Sequence, residues 1–342
     1  MIKNKKAKWI VRALLLVGTV VSMFFVPWIL VKAWILPLPD TVQEQIDEAI
    51  GYGFDGMIVY VDQAGKPPRF YTGGWKDREK KIPTDPKSLF KIASISKLYT
   101  AVAATKLVKE KRLSFDKSLT DYLPELKGRI ENADEITLKM MIQHRSGIPN
   151  FTDNLAFWEN EEENGKNALD FALDLPASFE PDKGYEYSNT NYLLLRRILN
   201  KVLRYNHNDY IKERILIPLE LKNTYFSITE VDLEDVMSGY YAGIEDDFKA
   251  RDFGMLATAK DVGTFLRALN DGSVFEEGEQ ELYPYEHNHG GLVIGYQSLA
   301  EYHKDIDAVV VQFMNTTDFE GYEWNLSEII NNRIFKIIEK KN

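Results

Sequence analysis

The stretch Ser94-Ile-Ser-Lys-Leu-Tyr-Thr-Ala-Val-Ala-Ala-Thr-Lys-Leu-Val108 joins a serine, a lysine three residues later and a run of helix-forming residues. It contains no Gly or Pro, so the pattern predicts a helix that begins at or beside Ser94. Residues at i and i+3 share a helix face, which brings the Lys97 ammonium beside Ser94 Oγ. The free backbone amides of a first helical turn favour a developing oxyanion. The sequence therefore predicts a serine nucleophile assisted by Lys97.

The same serine-to-lysine spacing occurs twice more, in Ser88-Leu-Phe-Lys91 and Ser114-Phe-Asp-Lys117. Ser88 lies in a proline-containing, turn-like stretch with no helix for its lysine to share. Ser114 is interpreted as an N-cap or turn residue after the helix. Position at the head of a helix therefore selects Ser94.

The composition of the 342 residues is that of an ordinary globular protein, with one large domain or two intimately packed ones. The chain has no cysteine, which excludes thiol catalysis, thiolate metal sites, disulfides and a lipid anchor at a cysteine. Beyond residue 33 it carries 36 basic against 52 acidic residues. This excess of negative charge argues against a nucleic-acid partner, because phosphate binding needs the opposite sign.

The N-terminus has the pattern of a membrane signal. A basic leader at 1–12 precedes a transmembrane signal-anchor at 13–33, in which Ala13 to Val31 carry no charge. Residues 34–50 are predicted to form a spacer and a first helix. A cleaved signal peptide ending near Ala33 is the alternative. The length of the apolar run favours an uncleaved anchor in the cell membrane, with the catalytic domain outside the cytoplasm.

The remaining chain, 51–342, is predicted to form one α+β domain. Strands are expected at 56–62 and 69–72, then mostly helices and loops, with strands returning at 291–300 and 307–315 before a helix at 323–339. Strands at both ends imply an antiparallel sheet flanked by helices, an α/β sandwich, with a helical subdomain at about 115–255. Two acidic clusters, Glu159–Glu163 and Glu276–Glu281, are interpreted as solvated loops.

Two further motifs contain groups that a serine hydrolase needs. Tyr187-Ser-Asn189 precedes a predicted helix, and a tyrosine can act as a base only when a neighbouring cation lowers its pKa. Lys97 is expected to do so. His289-Gly-Gly291 precedes an apolar strand. The two adjacent glycines of this motif allow the backbone to approach a ligand closely. His287 and His289 form an H-x-H pair, but no third ligand at a suggestive spacing accompanies them, and no metal is expected.

In this order, the three motifs resemble those of the penicillin-recognising serine hydrolases. The branch that they resemble contains class C β-lactamases, D-Ala-D-Ala carboxypeptidases, D-aminopeptidases and related esterases. Its pattern is S-x-x-K, then Y-x-N, then K- or H-x-G. The stretch Met141–Pro149, around Gln-His-Arg-Ser-Gly, also resembles a family signature, and the resemblance covers roughly residues 50–335.

The resemblance implies roles for the first two motifs. Ser94 would attack a carbonyl carbon and form an acyl-enzyme. Lys97 and Tyr187 would share the proton transfers, with Tyr187 the favoured base. Asn189 would bind the substrate amide or Lys97. No cofactor is implied.

For the third motif, the resemblance implies that His289 replaces the usual lysine as a cation whose charge varies near neutral pH. The backbone amides of Ser94 and Leu292 would form the oxyanion hole. Gly290 and Gly291 would contact the substrate. Gly290 stands where many relatives carry a hydroxyl that binds a substrate carboxylate, which favours substrates without one.

The sequence thus predicts a membrane-anchored serine hydrolase that acts on cell-envelope peptides or esters, with D-alanyl groups or β-lactams as candidates. One alternative is a penicillin-binding or wall sensor that is acylated with little turnover. Another is a D-alanyl esterase of teichoic acids. A metal-dependent hydrolase using His287 and His289 is a third class. The oligomeric state is left open.

Overall fold

The computed structural model describes residues 5–158 and 165–340. The cluster Glu159–Glu163 lies outside the described residues. A mixed fold of helices and an antiparallel sheet is present, as predicted.

The main sheet has six strands in the order β3-β2-β1-β10-β9-β8, and every neighbouring pair is antiparallel. Strand β1 from the start of the domain pairs directly with β10 from its end, which confirms the sheet expected from distant segments. The bounds are β1 Gly56–Gln63, β2 Arg69–Asp77, β3 Ile82–Pro83, β8 His289–Val293, β9 Tyr296–His303 and β10 Ala308–Met314.

The predicted single strand at 291–300 is wrong in one respect, because the structure forms a hairpin there. Gly295 adopts φ 81°, a left-handed conformation that favours glycine, and this turn separates β8 from β9. Strand β8 thereby becomes the edge of the sheet.

Five short strands form two small sheets away from the main one. The first has the order β4-β7-β5, and the second pairs β6 with β11 in parallel. Their bounds are β4 Phe90–Lys91, β5 Thr224–Tyr225, β6 Tyr240–Tyr241, β7 Leu256–Ala257 and β11 Thr316–Thr317. The sequence did not predict these strands because two-residue segments have no periodicity to read.

Helices cover both faces of the main sheet and fill the region between β4 and β8. The described α-helices are α1 Lys5–Met23, α2 Trp28–Ile35, α3 Val42–Gly51, α4 Ser96–Lys109, α5 Leu119–Tyr122, α6 Leu138–Ile142, α7 Leu155–Trp158, α8 Asn189–Leu203, α9 His207–Ile211, α10 Ala259–Asp271 and α11 Glu323–Lys340. Helix α10 packs on β1, β9 and β10, where the ring of Phe265 stacks on Tyr99 of α4 at 3.7 Å. Helices α3 and α11 enclose a second core on the opposite face.

The apolar N-terminal segment is bent. No single described helix is long and apolar enough to cross a bilayer, although Lys8–Met23 and Trp28–Ile35 together meet that test while bent by 80°. The prediction of one continuous span at 13–33 therefore does not match the helices. Helix α2 packs on α11, and Ala33 is buried there.

A buried arginine fixes α2 to the rest of the protein. The Arg333 guanidinium donates to the carbonyls of Ala33, Leu36 and Pro37 at 2.7 to 3.0 Å and also to Gln45 Oε1 at 2.6 Å. These bonds satisfy carbonyls at the end of α2 that lack a partner within the helix. Helix α2 is thus held as part of the folded domain.

The second acidic cluster is only partly solvated. Glu279 is 1% exposed, and its Oε2 lies 2.7 Å from Lys106 Nζ in a buried ion pair. The interpretation of residues 276–281 as a solvated loop is therefore wrong for Glu279. A buried ion pair of this kind is costly to break by removing one partner.

Candidate active site

Ser94 lies in a strained turn between β4 and α4. A 3₁₀ turn at Ala93–Ile95 leads directly into α4, so the predicted helix head is present. Ala93 adopts φ 46°, a left-handed conformation that is unfavourable for a residue with a Cβ. Such strain persists only where the surrounding structure fixes it. The turn presents the half-buried Ser94 side chain on the face that contacts β8.

Two side chains contact Ser94 Oγ, and a third contacts Lys97. Lys97 Nζ lies 2.9 Å from it, and Tyr187 Oη donates to it at 2.7 Å. Lys97 Nζ also lies 2.9 Å from Asn189 Oδ1. The four residues come from two elements far apart in sequence, the 94–97 turn and the start of α8. The structure therefore brings together the first two predicted motifs, while their catalytic roles stay predictions.

The second lysine of this spacing is placed differently. Lys91 Nζ donates to the carbonyls of Phe248 and Arg251 at 2.6 and 2.5 Å. It therefore fixes a loop rather than assisting Ser88. The choice of Ser94 among the three repeats agrees with this geometry.

Protonation in this cluster differs from the expectation. Burial, followed by the nearby Arg196 guanidinium, lowers the pKa of Lys97 to about 7. Burial raises the pKa of Tyr187 to about 12, and its hydrogen bond to Ser94 offsets only part of this. The pKa of Tyr187 is thus shifted in the direction opposite to the expected one, because desolvation of its side chain is the largest cause. At neutral pH Tyr187 is a donor, and Lys97 is the group that can exchange a proton.

Asn189 is positioned by a loop that the sequence did not assign. Its backbone N–H donates to Asn150 Oδ1 at 3.0 Å, and its Nδ2 donates to Thr152 Oγ1 at 3.3 Å. Both partners follow the Met141–Pro149 stretch. The resemblance of that stretch to a family signature could have pointed to these two residues. They were missed because neither has a side chain that takes part in catalysis by type alone.

His144 of the same stretch begins a chain of hydrogen bonds behind Tyr187. Its ring stacks on Tyr187 at 4.4 Å, and its Nδ1 accepts from Ser188 N–H at 3.1 Å. The ring proton is therefore on Nε2, which lies 3.3 Å from Tyr285 Oη. Tyr285 Oη is in turn 2.9 Å from His289 Nε2.

The chain of hydrogen bonds ends at β8. His289 Nδ1 donates to the carbonyl of Gly290 at 2.5 Å, which leaves Nε2 to accept from Tyr285. Burial and nearby Lys97 lower the pKa of His289 to about 4, and the Gly290 bond offsets part of this. The expectation that His289 acts as a cation with variable charge near neutral pH is therefore wrong. It is a neutral residue that connects β8 to the rings behind Tyr187.

The two glycines of the third motif are required by close packing on opposite sides of β8. A Cβ on Gly291 would stand 2.3 Å from the carbonyl oxygen of Ile92, next to the Ser94 turn. A Cβ on Gly290 would stand 2.7 Å from the indole of Trp324. Leu292 follows with its side chain 40% exposed. Strand β8 thus lies directly against the Ser94 turn, and the oxyanion hole formed by the Ser94 and Leu292 amides stays a prediction.

His287 is not part of this chain of hydrogen bonds. The centroid of its ring lies 5.2 Å from that of Tyr283. Among residues 5–158 and 165–340, no group of three or more His, Asp or Glu side chains is arranged to hold a metal ion.

The comparisons with known proteins agree with this arrangement. The family model described as Beta-lactamase matches residues 40–291. The chain belongs to the beta-lactamase family. This family is that of the serine β-lactamases and penicillin-binding proteins, as the motif order predicted.

Similar proteins of this family include curated and solved members. Protein flp of Staphylococcus aureus strain MW2 is 28% identical over 209 residues, which are 59% of this chain and 42% of that protein. Penicillin-binding protein 4* of Bacillus subtilis strain 168 is 28% identical over 175 residues, 50% of this chain and 38% of that protein. The chain spans less than half the length of these relatives.

Solved structures share the fold at low identity. A D-amino acid amidase from Ochrobactrum anthropi SV3 has a TM-score of 0.76 and 22% identity, covering 88% of this chain and 98% of the amidase. A penicillin-binding protein from Bacillus halodurans has a TM-score of 0.70 and 18% identity, covering 85% and 98%. These similarities support the fold.

Proposed function

We propose that this protein is a membrane-anchored, extracytoplasmic hydrolase that cleaves D-aminoacyl amides or esters of the cell envelope through an acyl-enzyme at Ser94. The observation that carries the reaction is the convergence of Lys97 and Tyr187 on Ser94 Oγ at 2.9 and 2.7 Å. The D-aminoacyl class is supported by the D-amino acid amidase among the structural neighbours.

The first half of the reaction follows from the protonation states. The uncharged Lys97 amine accepts the proton of Ser94 as Oγ attacks the carbonyl carbon. Asn189 Oδ1 holds the amine in position by accepting one of its N–H groups. The carbonyl oxygen becomes an oxyanion between the Ser94 and Leu292 amides.

The second half returns the proton. Tyr187 donates to the leaving nitrogen or oxygen as its bond to carbon breaks, and Tyr187 is reprotonated from the Lys97 ammonium. Water then attacks the Ser94 ester and gives a proton to Lys97. The Lys97 ammonium returns that proton to Ser94 Oγ as its bond to the acyl carbon breaks, which releases the acid and restores Ser94. Lys97 and Tyr187 act as one proton-transfer unit in both halves.

The test follows the mass of the intact protein with labelled penicillin, a D-Ala-D-Ala peptide and a D-alanyl ester. We expect a covalent adduct on wild type that Ser94→Ala cannot form. Ser114→Ala, at the third S-x-x-K serine, is the matched control and should behave as wild type. Turnover by Ser94→Ala equal to wild type would contradict the proposal.

Penicillin-binding relatives make a sensor the second candidate, because binding and acylation use the same three side chains. The two are separated by the rate at which the Ser94 adduct is released. An adduct that persists with every substrate would support the sensor over the hydrolase.

Membrane anchoring is supported by the exposed apolar surface of α1 and the turn after it, including Phe24 and Phe25 at 83% and 80% exposure. Because the chain has no cysteine, single cysteines report topology without background. Tyr185→Cys on intact bacterial cells should react with a membrane-impermeant maleimide. Labelling only after the cells are broken would contradict the extracytoplasmic location.

A further inference from the structure

A small cavity lies on the far side of β8 from His289. It has a volume of about 210 Å³ and is lined by residues of β8, β9, β11 and the start of α11. Leu292, the residue proposed to donate to the oxyanion, forms part of its wall. Strand β8 itself contacts the turn that carries Ser94. The cavity therefore lies against the strand that a substrate bound at Ser94 would contact, on the face opposite the Ser94 turn.

One of its buried polar groups is an acceptor without a donor. Gln297 is 2% exposed, and its Nε2 donates to the Thr316 carbonyl at 2.6 Å, which fixes the orientation of the amide. The other amide atom, Oε1, accepts no hydrogen bond from any residue that the structure describes. A buried acceptor left in this state is costly, and such groups are normally satisfied.

Two carboxylates lie in the same wall. A Cβ on Gly321 would stand 2.5 Å from Asp318 Oδ2 and 2.3 Å from Glu323 Oε2, so the carboxylates face each other across this glycine. Within the described parts of the chain, neither forms an ion pair, and Glu323 Oε2 is buried without a partner. Burial raises the pKa of Glu323, hydrogen bonding to the Glu323 and Tyr322 backbone offsets part of this, and the charge of Asp318 adds to the rise.

Local structure accounts for only part of this arrangement. Asp318 Oδ1 accepts from the Glu320 amide, and Glu323 begins α11, where an acid is favourable. Those roles leave Glu323 Oε2 and the Gln297 oxygen without a hydrogen-bond donor among the described residues, and Asp318 Oδ2 lies beside Glu323 Oε2. All three are acceptors.

Aromatic rings complete the wall. Phe319 is 52% exposed, and the indole of Trp324 lies against Gly290 in the position that a side chain there would take. Aromatic faces attract cations, and they do so most strongly when the cation is desolvated. Carboxylates, an amide oxygen and indole together match a positively charged group that donates hydrogen bonds.

We propose that this cavity binds an ammonium group of the substrate, placed by Asp318, Glu323, Gln297 and Trp324 while Ser94 attacks the neighbouring carbonyl. This rests on the proposed acyl transfer at Ser94 and specifies the kind of substrate. An anionic group is excluded by the two carboxylates. The ammonium belongs either to the acyl part, as in a D-aminoacyl ester or amide, or to the leaving group.

Two matched substrate pairs distinguish these sources. D-alanyl p-nitroanilide and its N-acetyl derivative differ by a charge on the acyl part. 6-Aminohexyl acetate and heptyl acetate differ by a primary ammonium on the leaving group at similar length. We expect wild type to prefer the charged member of one pair by about tenfold or more in kcat/KM.

The preference should depend on the cavity acids. Glu323→Gln and Asp318→Asn should each lower kcat/KM for the charged substrate about tenfold and change the neutral one less than about twofold. Glu320→Gln, on the same loop, is the matched control and should retain the preference. A wild-type enzyme without a charge preference in either pair contradicts the proposal, as does a preference that survives both substitutions.

A binding measurement separates this proposal from the reaction itself. Methylammonium chloride should raise the Tm of Ser94→Ala more than sodium chloride at equal ionic strength. Glu323→Gln in the same background should abolish the difference. Equal Tm values in the two salts would overturn the ammonium site. Turnover retained by Ser94→Ala, together with this Tm shift, would instead count against the proposed chemistry at Ser94 and leave the ammonium site standing.

Discussion

The two sides of strand β8 differ in how completely their polar groups are satisfied. On the side of His289, hydrogen bonds connect Ser188, His144, Tyr285, His289 and the Gly290 carbonyl. On the side of Trp324, buried oxygens of Gln297 and Glu323 have no partner among the residues described. The first side holds catalytic groups in place before substrate arrives. The second has the features of a surface that substrate completes, which is a common division between catalysis and specificity.

The largest expected effect is at the satisfied side. Lys97→Met keeps the length of the side chain and removes the proton acceptor of Ser94. We expect kcat to fall roughly 10³–10⁴-fold while folding is retained. The measurement is single-turnover acylation, followed by mass.

Lys91→Met is the comparison for this variant, because burial also lowers the pKa of Lys91 to about 7. It should lose stability through the unpaired Phe248 and Arg251 carbonyls but retain most of its acylation rate per folded molecule. Similar losses of rate in the two variants would show that a buried lysine as such, rather than its contact with Ser94, matters.

Acidification should produce the next largest effect. Lys97 has a pKa of about 7, so its uncharged fraction falls with each pH unit below that value. We expect kcat/KM for a neutral ester to fall about tenfold per unit between pH 6.5 and 5. A profile that is flat over this range would contradict Lys97 as the base.

Stability should depend on pH through the same groups. The pKa of Lys97 is lowered from 10.5 to about 7 on folding, so between these values the unfolded chain binds a proton that the folded protein does not. The free energy of unfolding should therefore rise with pH across that window. Urea titrations at pH 7 and 9 measure this, and Lys97→Met should reduce the rise.

The paired glycines test the two sides directly. Alanine at Gly291 must displace the backbone of Ile92, whereas alanine at Gly290 needs only the Trp324 side chain to move. We expect Gly291→Ala to cost about 3 kcal/mol and to impair acylation, and Gly290→Ala to cost about 1 kcal/mol. Gly290→Ala should mainly weaken the preference for charged substrates. Equal effects would remove the distinction between the two sides.

The smallest expected effect comes from breaking the hydrogen-bond chain. Tyr285→Phe leaves the buried nitrogens of His144 and His289 without their shared partner, which should cost about 1–3 kcal/mol of stability. Tyr283→Phe removes one bond, to the Glu286 carbonyl, and is the control. Urea denaturation compares them. If Tyr285→Phe lowers the free energy of unfolding no more than Tyr283→Phe does, the chain of hydrogen bonds does not hold β8 in place.

Much of the fold could be predicted from local patterns. The long strands 56–62 and 307–315 and the helices after Ser94 and Asn189 have clear periodicity, and they lie where expected. The turn at Gly295 was missed because the apolar run continues through it. The bend between α1 and α2 was missed because hydropathy does not report where a helix breaks.

The sequence predicted which residues meet at the candidate site, but the expected protonation states of Tyr187 and His289 were wrong. Ser94, Lys97, Tyr187 and Asn189 follow from motif order, and they meet in the structure. The protonation of Tyr187 and His289 depends on burial, and residues adjacent in the sequence do not indicate how buried a side chain is. Tyr285 and Gln297 belong to no motif, and only their contacts reveal them.

The sequence by itself determined the family and the order of its motifs, and it predicted the nucleophile, because reactive side chains need particular residue types at particular spacings. The tertiary structure alone decided which groups carry charge and which acceptors lack a donor. Both properties depend on desolvation and on neighbours brought together from distant segments. Lys97, Asn189 and His289 are separated by many residues in the chain, and folding sets their electrostatics.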